Sequence, residues 1–180
     1  MDEPAVSFHS AAFDALTGLP NRALFEDRLS QVIAMSNRSG RRFAVHMCDL
    51  DGFKALAARM GDAGTNAALK TIAERFVAAL RESDTVARAG WDEFIALQPE
   101  LEDEEDARDM SERLLRALYA PVVAGGDSHQ IGVSIGIALF PLDGDTGPAL
   151  LAAAERALAR AKAKARGGVV FAQGNAASSA

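Results

Sequence analysis

Thr85-Val86-Ala87-Arg88-Ala89-Gly90-Trp91-Asp92-Glu93-Phe94-Ile95-Ala96-Leu97 sets two short apolar runs on either side of a polar tip. This pattern predicts a β-hairpin with Gly90-Trp91-Asp92 at its turn. Small residues at such a tip let a ligand approach the backbone closely, and carboxylates beside them offer oxygen donors to a hard cation. Trp91 occupies one of the two positions where a small residue would serve best. A left-handed backbone there would cost it about 1–2 kcal/mol, and its indole would fill the space above the turn. Taken alone, the segment reads equally well as a turn carrying two solvated acids.

Working outward, Leu19-Pro20-Asn21 introduces Leu24, Phe25, Leu29, Val32 and Ile33 at helical spacing, ending in the polar loop 38–42. Phe43 to Leu50 is an apolar run of strand length that closes on Asp49 and Asp51, a common position for a metal or ligand site. Leu69, Ile72, Ala73, Phe76, Val77 and Leu80 mark one helical face, with one or two helices filling the stretch before the hairpin. The acidic run Glu100 to Asp106 leads into a helix carrying Ala107, Met110, Leu114 and Leu118, where acids suit the positive helix start. Ile131 to Phe140 reads as a strand, Pro148 opens an alanine-rich helix to about Lys164, and Gly168 to Phe171 forms a last strand. That order predicts an α+β fold in which a central mixed or antiparallel sheet is flanked by helices, related to the split βαβ ferredoxin-like layout.

The chain has 180 residues, half of them apolar, enough for one well-filled domain. A formal charge of −6 argues against a surface for a nucleic acid polymer, so any bound phosphate is expected to be small and locally held. The single Cys48 lies in an apolar run and reads as a buried thiol, and His9, His46 and His129 are too scattered for zinc. No apolar stretch is long enough to span a membrane, which predicts a cytoplasmic protein without membrane insertion. Residues 1–12 read as a linker from an upstream region, 13–172 as the domain, and 173–180 as a flexible tail or linker. A domain within a longer protein is therefore expected.

Three segments carry charge that could converge: Asp49 with Asp51, Asp92 with Glu93, and Lys162 with Arg166. Carboxylates that hold Mg²⁺ beside cations that hold phosphate are what phosphoryl transfer needs. The same residues also suit a plainer reading, in which helix-end cations answer the macrodipole and strand-end acids are solvated.

Five blocks carry a resemblance: Asp14-Ala15-Leu16-Thr17-Gly18-Leu19-Pro20-Asn21-Arg22; Asp49-Leu50-Asp51-Gly52-Phe53-Lys54; Arg88 to Phe94; Val133-Ser134-Ile135-Gly136-Ile137-Ala138; and Ala161-Lys162 with Arg166. In this order they resemble the GGDEF domain, the diguanylate cyclase family that joins two GTP molecules into cyclic di-GMP. The resemblance implies that Asp49 and Asp92 hold Mg²⁺ and that Glu93 helps activate the attacking ribose hydroxyl. It implies that Phe53 and Lys54, with their backbone, line the triphosphate, that Asn66, Gly90 and Trp91 belong to the nucleotide site, and that Lys162 and Arg166 clamp the outer phosphates. Active members work as facing pairs, so a homodimer is implied as well.

The departures fall on the base pocket and the turn. Where the family keeps an Asn and an Asp that bond guanine, this chain has Ala57 and Asn66, and Trp91 replaces a glycine. Losing both anchors removes roughly 3–4 kcal/mol of guanine recognition, because charged hydrogen bonds outweigh neutral ones. Arg81-Glu82-Ser83-Asp84 fits the family's Arg-x-x-Asp inhibitory site, which binds cyclic di-GMP. The expected function is a degenerate GGDEF domain, silent or nearly so, acting as a GTP- or cyclic di-GMP-responsive module beside other domains. A slow cyclase and a nucleotide-independent interaction domain are the alternatives.

Overall fold

β1 (Arg42–Asp51), buried from Phe43 to Leu50, is the centre of a five-stranded sheet. The computed structural model of the protein describes residues 11–164 and 167–173. Residues 1–10 and 174–180, where the terminal linkers are expected, and Arg166 lie outside the described residues.

The other strands are β2 (Thr85–Arg88), β3 (Glu93–Leu101), β4 (Val122–Ala124), β5 (Asp127–His129), β6 (Gly132–Phe140) and β7 (Val169–Phe171). The sheet order is β2-β3-β1-β6-β7, with β4 and β5 forming a separate small hairpin. All pairings in the large sheet are antiparallel except β6 with β7, so the sheet is mixed as expected. Four helices, α1 (Arg22–Ser39), α2 (Phe53–Ala79), α3 (Glu104–Ala117) and α4 (Gly147–Lys164), cover its two faces. The succession β1-α2-β2-β3-α3-β6 is the βαββαβ core of the ferredoxin-like layout.

Alternation along β1 decides which helix meets which face. Ala44, Cys48 and Leu50 pack with Phe53, Ile72 and Phe76 of α2 and with Met110 and Leu114 of α3. Phe43, Val45 and Met47 pack instead with Phe25 and Leu29 of α1 and with Leu150, Ala154 and Leu158 of α4. Asp49 and Asp51 continue the second set, so they emerge on the α1–α4 face. There Gly136 lets α4 rest directly on β6, for a Cβ at that position would lie 2.3 Å from Ala154 O and Leu158 N.

Local chemistry explains the helix ends. Asn21 caps α1 by accepting from Leu24 N at 3.0 Å. Asp103 caps α3 in a reciprocal capping box with Asp106. Cys48 is buried, and burial pushes its thiol up to about 12, so it is an inert core residue.

The stretch after β1, expected to hold one or two helices, is one helix kinked at Gly61, whose φ of 72° and ψ of 177° break the helical path. Several expectations are corrected. Val77, expected on the buried stripe, is 52 % exposed, although Ala79 and Leu80 beyond it still pack against the core. Glu100 belongs to β3 rather than to the helix start. Its φ of 60° accompanies a register shift against Arg42 to Ala44. Ile131 lies just before β6. The β4–β5 hairpin was not anticipated, although Gly125-Gly126, with φ of 62° and 87°, is the signal of a tight two-residue turn.

Candidate functional site

Two chain ends meet at the carboxyl end of β1. In the β1–β3 ladder Asp49 stands opposite Glu93, and Leu50 N donates to Asp92 O at 3.1 Å, so the hairpin tip is laced to β1. The turn is closed by Ala89 N and Gly90 N, which both donate to Glu93 O, at 2.9 and 3.2 Å. This wider loop lets Gly90 and Trp91 keep ordinary negative φ. The left-handed strain considered for Trp91 is therefore not incurred. Gly90 faces the Glu93 carboxylate, which a Cβ there would meet at 2.8 Å and oblige to turn aside.

From α4, Lys162 Nζ pairs with Asp49 Oδ2, whose side chain is 10 % exposed. Asp49, Asp92, Glu93 and Lys162, separated in sequence, are thus brought together. Burial raises the Asp92 carboxyl above the usual carboxylate range, and the neighbouring Asp49 charge adds to it, against the pull of Lys162 and Lys54. Burial likewise raises Glu93, with Asp49 and then Asp92 adding to it and Lys162 and Arg22 opposing. The three carboxylates repel one another in a partly dry place.

The sign of the resulting pH dependence follows. A carboxyl whose folded pKa is raised contributes stability that is fully present below its unfolded pKa and is lost as pH rises through the folded value. At neutral pH the charged Asp92 and Glu93 therefore weigh against the fold, and a cation relieves them. Melts with and without Mg²⁺ are expected to show a rise in midpoint at neutral pH that begins to shrink above the ordinary carboxylate range as pH falls. A pH-independent Mg²⁺ increment would contradict this.

Trp91 reaches across the tip to α2. Its indole, 48 % exposed, packs on the buried Phe53 ring with centroids 5.5 Å apart and planes at 52°. Phe53 and the exposed Lys54 open α2 behind Gly52, which has a φ of 62° and provides no side-chain cap. The first N–H groups of α2 therefore face out beside Trp91 without a side-chain partner, an arrangement that favours anions. Farther along α2, Ala57 is buried and its carbonyl accepts from Thr65 Oγ1 at 3.3 Å, while Asn66 is exposed beyond the Gly61 kink.

Two site residues were passed over in the sequence. Arg88 Nη1 pairs with Asp14 Oδ2 at 3.1 Å and its Nη2 donates to Trp91 O at 2.8 Å, a strut that holds the tip from behind. Burial works against the Asp14 charge, but hydrogen bonds from Thr17 and then Arg88 outweigh it and hold the carboxyl below its usual range. Arg22, close enough to pull on Glu93, pairs with Glu26 at 3.0 Å and Glu155 at 3.8 Å. Both lie within blocks already singled out by resemblance; spacing reveals the i,i+4 pair of Arg22 with Glu26 but not the contacts of Arg88 with Asp14 or of Arg22 with Glu155.

Arg81 and Asp84 form a second locus, at the turn between α2 and β2. Arg81 is exposed beside a depression of about 310 Å³ floored by Leu19, Leu80 and Val86. The Asp84 side chain, only 2 % exposed, turns inward, accepting from Arg81 N at 2.9 Å and lying 3.8 Å from Arg113 Nη2.

Among the described residues no three His, Cys, Asp or Glu side chains form a ready metal cage. Mg²⁺ does not require one, because it takes one or two carboxylates and completes its shell with water and substrate phosphates. Asp49 and Asp92 supply hard oxygens in a spot with surplus negative charge, and so fit that ion. No helix among the described residues is long and apolar enough to cross a membrane.

The model of the diguanylate cyclase GGDEF domain matches residues 11–168. Diguanylate cyclase TpbB of Pseudomonas aeruginosa is 41 % identical over 167 residues, covering 92 % of this chain and 38 % of that protein. The bifunctional diguanylate cyclase/cyclic di-GMP phosphodiesterase MucR of the same organism is 42 % identical over 161 residues, covering 89 % and 23 %. The solved GGDEF domain of TpbB superposes with a TM-score of 0.86 at 40 % identity, covering 89 % of this chain and 94 % of that one. The chain thus spans well under half the length of these curated relatives. With its sheet order and the meeting of hairpin tip, β1 end and α4 end, this chain belongs to the GGDEF family, whose domains occur in cyclic di-GMP signalling proteins.

Proposed function

We propose that this is a degenerate GGDEF domain that holds GTP with Mg²⁺, turns it over poorly or not at all, and acts as a GTP- or cyclic di-GMP-responsive regulatory module within a longer signalling protein. One observation carries the reading: Asp49, Asp92, Glu93 and Lys162 still converge, while the Trp91 indole lies on Phe53 at the uncapped start of α2. The first half preserves the means to hold a metal and a triphosphate. The second places bulk where the nucleotide must approach.

Asp49 and Asp92 would hold Mg²⁺, which when bound neutralises charge on the phosphates. Lys54 and the free N–H groups of α2 would take the inner phosphates, with Lys162 and Arg166 on the outer ones. Glu93, its carboxyl raised by burial and by Asp49, is suited to accept the proton of a ribose hydroxyl. Ala57 presents no base-bonding group and Asn66 only a neutral amide, so the base is held weakly. Because two nucleotides must meet, product formation would need a second copy facing this one. A slow cyclase is favoured by the half-exposed indole, which offers a base a stacking face.

Trp91→Gly separates these readings. It is expected to tighten Mg²⁺·GTP binding several-fold and to produce measurable cyclic di-GMP, assayed by chromatography of the reaction. Unchanged binding and no product would place the block at Ala57 and Asn66 instead.

A further inference from the structure

Asp51 lies two residues beyond Asp49 on β1, so both side chains leave the same face. Asp51 Oδ1 accepts from Ser134 Oγ at 2.7 Å, and Ser134 Oγ accepts in turn from Gly167 N at 3.2 Å. Ser134 is fully buried and stands directly across the ladder from Asp49. Next to it, Ile135 N donates to Gly168 O at 2.9 Å. The chain beyond α4 therefore joins β6 at Gly167, whose φ of 84° favours glycine, where the Ser134 side-chain bond precedes the backbone ladder that β7 goes on to make.

The two aspartates bracket the end of α4: Asp49 takes Lys162 inside its last turn, and Asp51, through Ser134, takes Gly167 beyond it. Asp51 Oδ2 is buried and has no hydrogen-bond partner, and it lies where a Cβ on the facing Gly132 would come within 3.1 Å. A half-buried carboxylate that leaves one buried oxygen unpaired is a poor device for stability. A neutral residue would serve a merely structural role at lower cost.

We infer that Asp51 is a positioning residue: acting through Ser134 and Gly167, it fixes the carboxyl end of α4 and so aims the Lys162 ammonium at Asp49. This rests on the reading that Lys162 helps hold a nucleotide triphosphate. Outer-shell partners of this kind are worth roughly 10- to 100-fold in affinity.

The test uses the full chain and its Ser134→Ala, Lys162→Ala and double variants, titrated with Mg²⁺·GTP, with amide hydrogen exchange read at Gly167. Ser134→Ala is expected to exchange faster at Gly167 and to bind about tenfold more weakly, and the double variant is expected to bind no more weakly than Lys162→Ala. Unchanged exchange at Gly167, or losses that add in full, would overturn the inference. If the wild-type chain gives no heat while exchange responds as expected, the nucleotide reading fails and the strut stands. Should Ser134→Ala not fold, Asp51→Asn, which keeps the side-chain shape but removes the charge that holds the Ser134 hydroxyl and so loosens its hold on Gly167, is held to the same outcomes.

Discussion

Asp49→Asn is expected to weaken Mg²⁺·GTP binding about 10- to 100-fold while leaving the chain folded. The substitution keeps the side-chain volume and removes the charge on which three others depend. It replaces one of two charged oxygen donors by a neutral amide, and it releases Lys162, which pairs with Asp49 Oδ2. A charge-assisted contact is worth about 1.5–3 kcal/mol, and every 1.4 kcal/mol is tenfold in affinity, so its loss amounts to about one to two decades. A second readout separates this from general damage. Asp49 raises both Asp92 and Glu93, so removing its charge should shift the onset of the Mg²⁺ increment toward lower pH. Wild-type affinity in Asp49→Asn would show that this carboxylate is not part of a nucleotide site.

Gly136→Ala is expected to cost about 1–3 kcal/mol of stability by overpacking and to weaken Mg²⁺·GTP binding along with it. A Cβ at 136 would meet Ala154 O and Leu158 N at 2.3 Å and Leu158 Cα at 2.8 Å. These are backbone atoms inside α4, so no side-chain rotation relieves them and the helix must move as a body. Because α4 carries Lys162, relief of the clash on β6 displaces the ammonium from Asp49. Thermal melts and a titration on the same preparation check both halves. A melting midpoint equal to wild type would show that α4 is not seated as closely as described.

The elements were legible where apolar residues mark a face or a run. Phe25 and Leu29 and the Leu69–Ile72–Phe76 stripe each announce a helix face that must be covered, and the apolar run of β1 announces a central strand buried on both faces. The β4–β5 hairpin escaped because strands of three residues are too short to show alternation. Only Gly125-Gly126 marks them. Val77 kept the helical spacing but is exposed while Ala79 and Leu80 pack inward, since spacing alone does not say how wide the covered face is.

The site was legible in kind and not in its contacts. Residue type placed Asp49, Asp92, Glu93 and Lys162 as candidates. The pairing of Asp49 with Lys162 joins positions 113 apart and depends on both lying on the α4 face of β1. The Arg88–Asp14 strut spans 74 residues in the same way. Trp91 stands in the sequence where a small residue is expected, and in the structure it packs on Phe53 without backbone strain. Glu93 O takes both Ala89 N and Gly90 N, and the turn widens enough to spare Trp91 a positive φ.

The central claim, nucleotide held without efficient turnover, is tested most directly by isothermal titration of the purified chain with GTP plus Mg²⁺ and then with cyclic di-GMP, with the GTP sample scanned for product. The account predicts Mg²⁺-dependent heat with GTP and no more than a trace of cyclic di-GMP. Sustained product formation would contradict its catalytic half, and the absence of heat with GTP would contradict the whole.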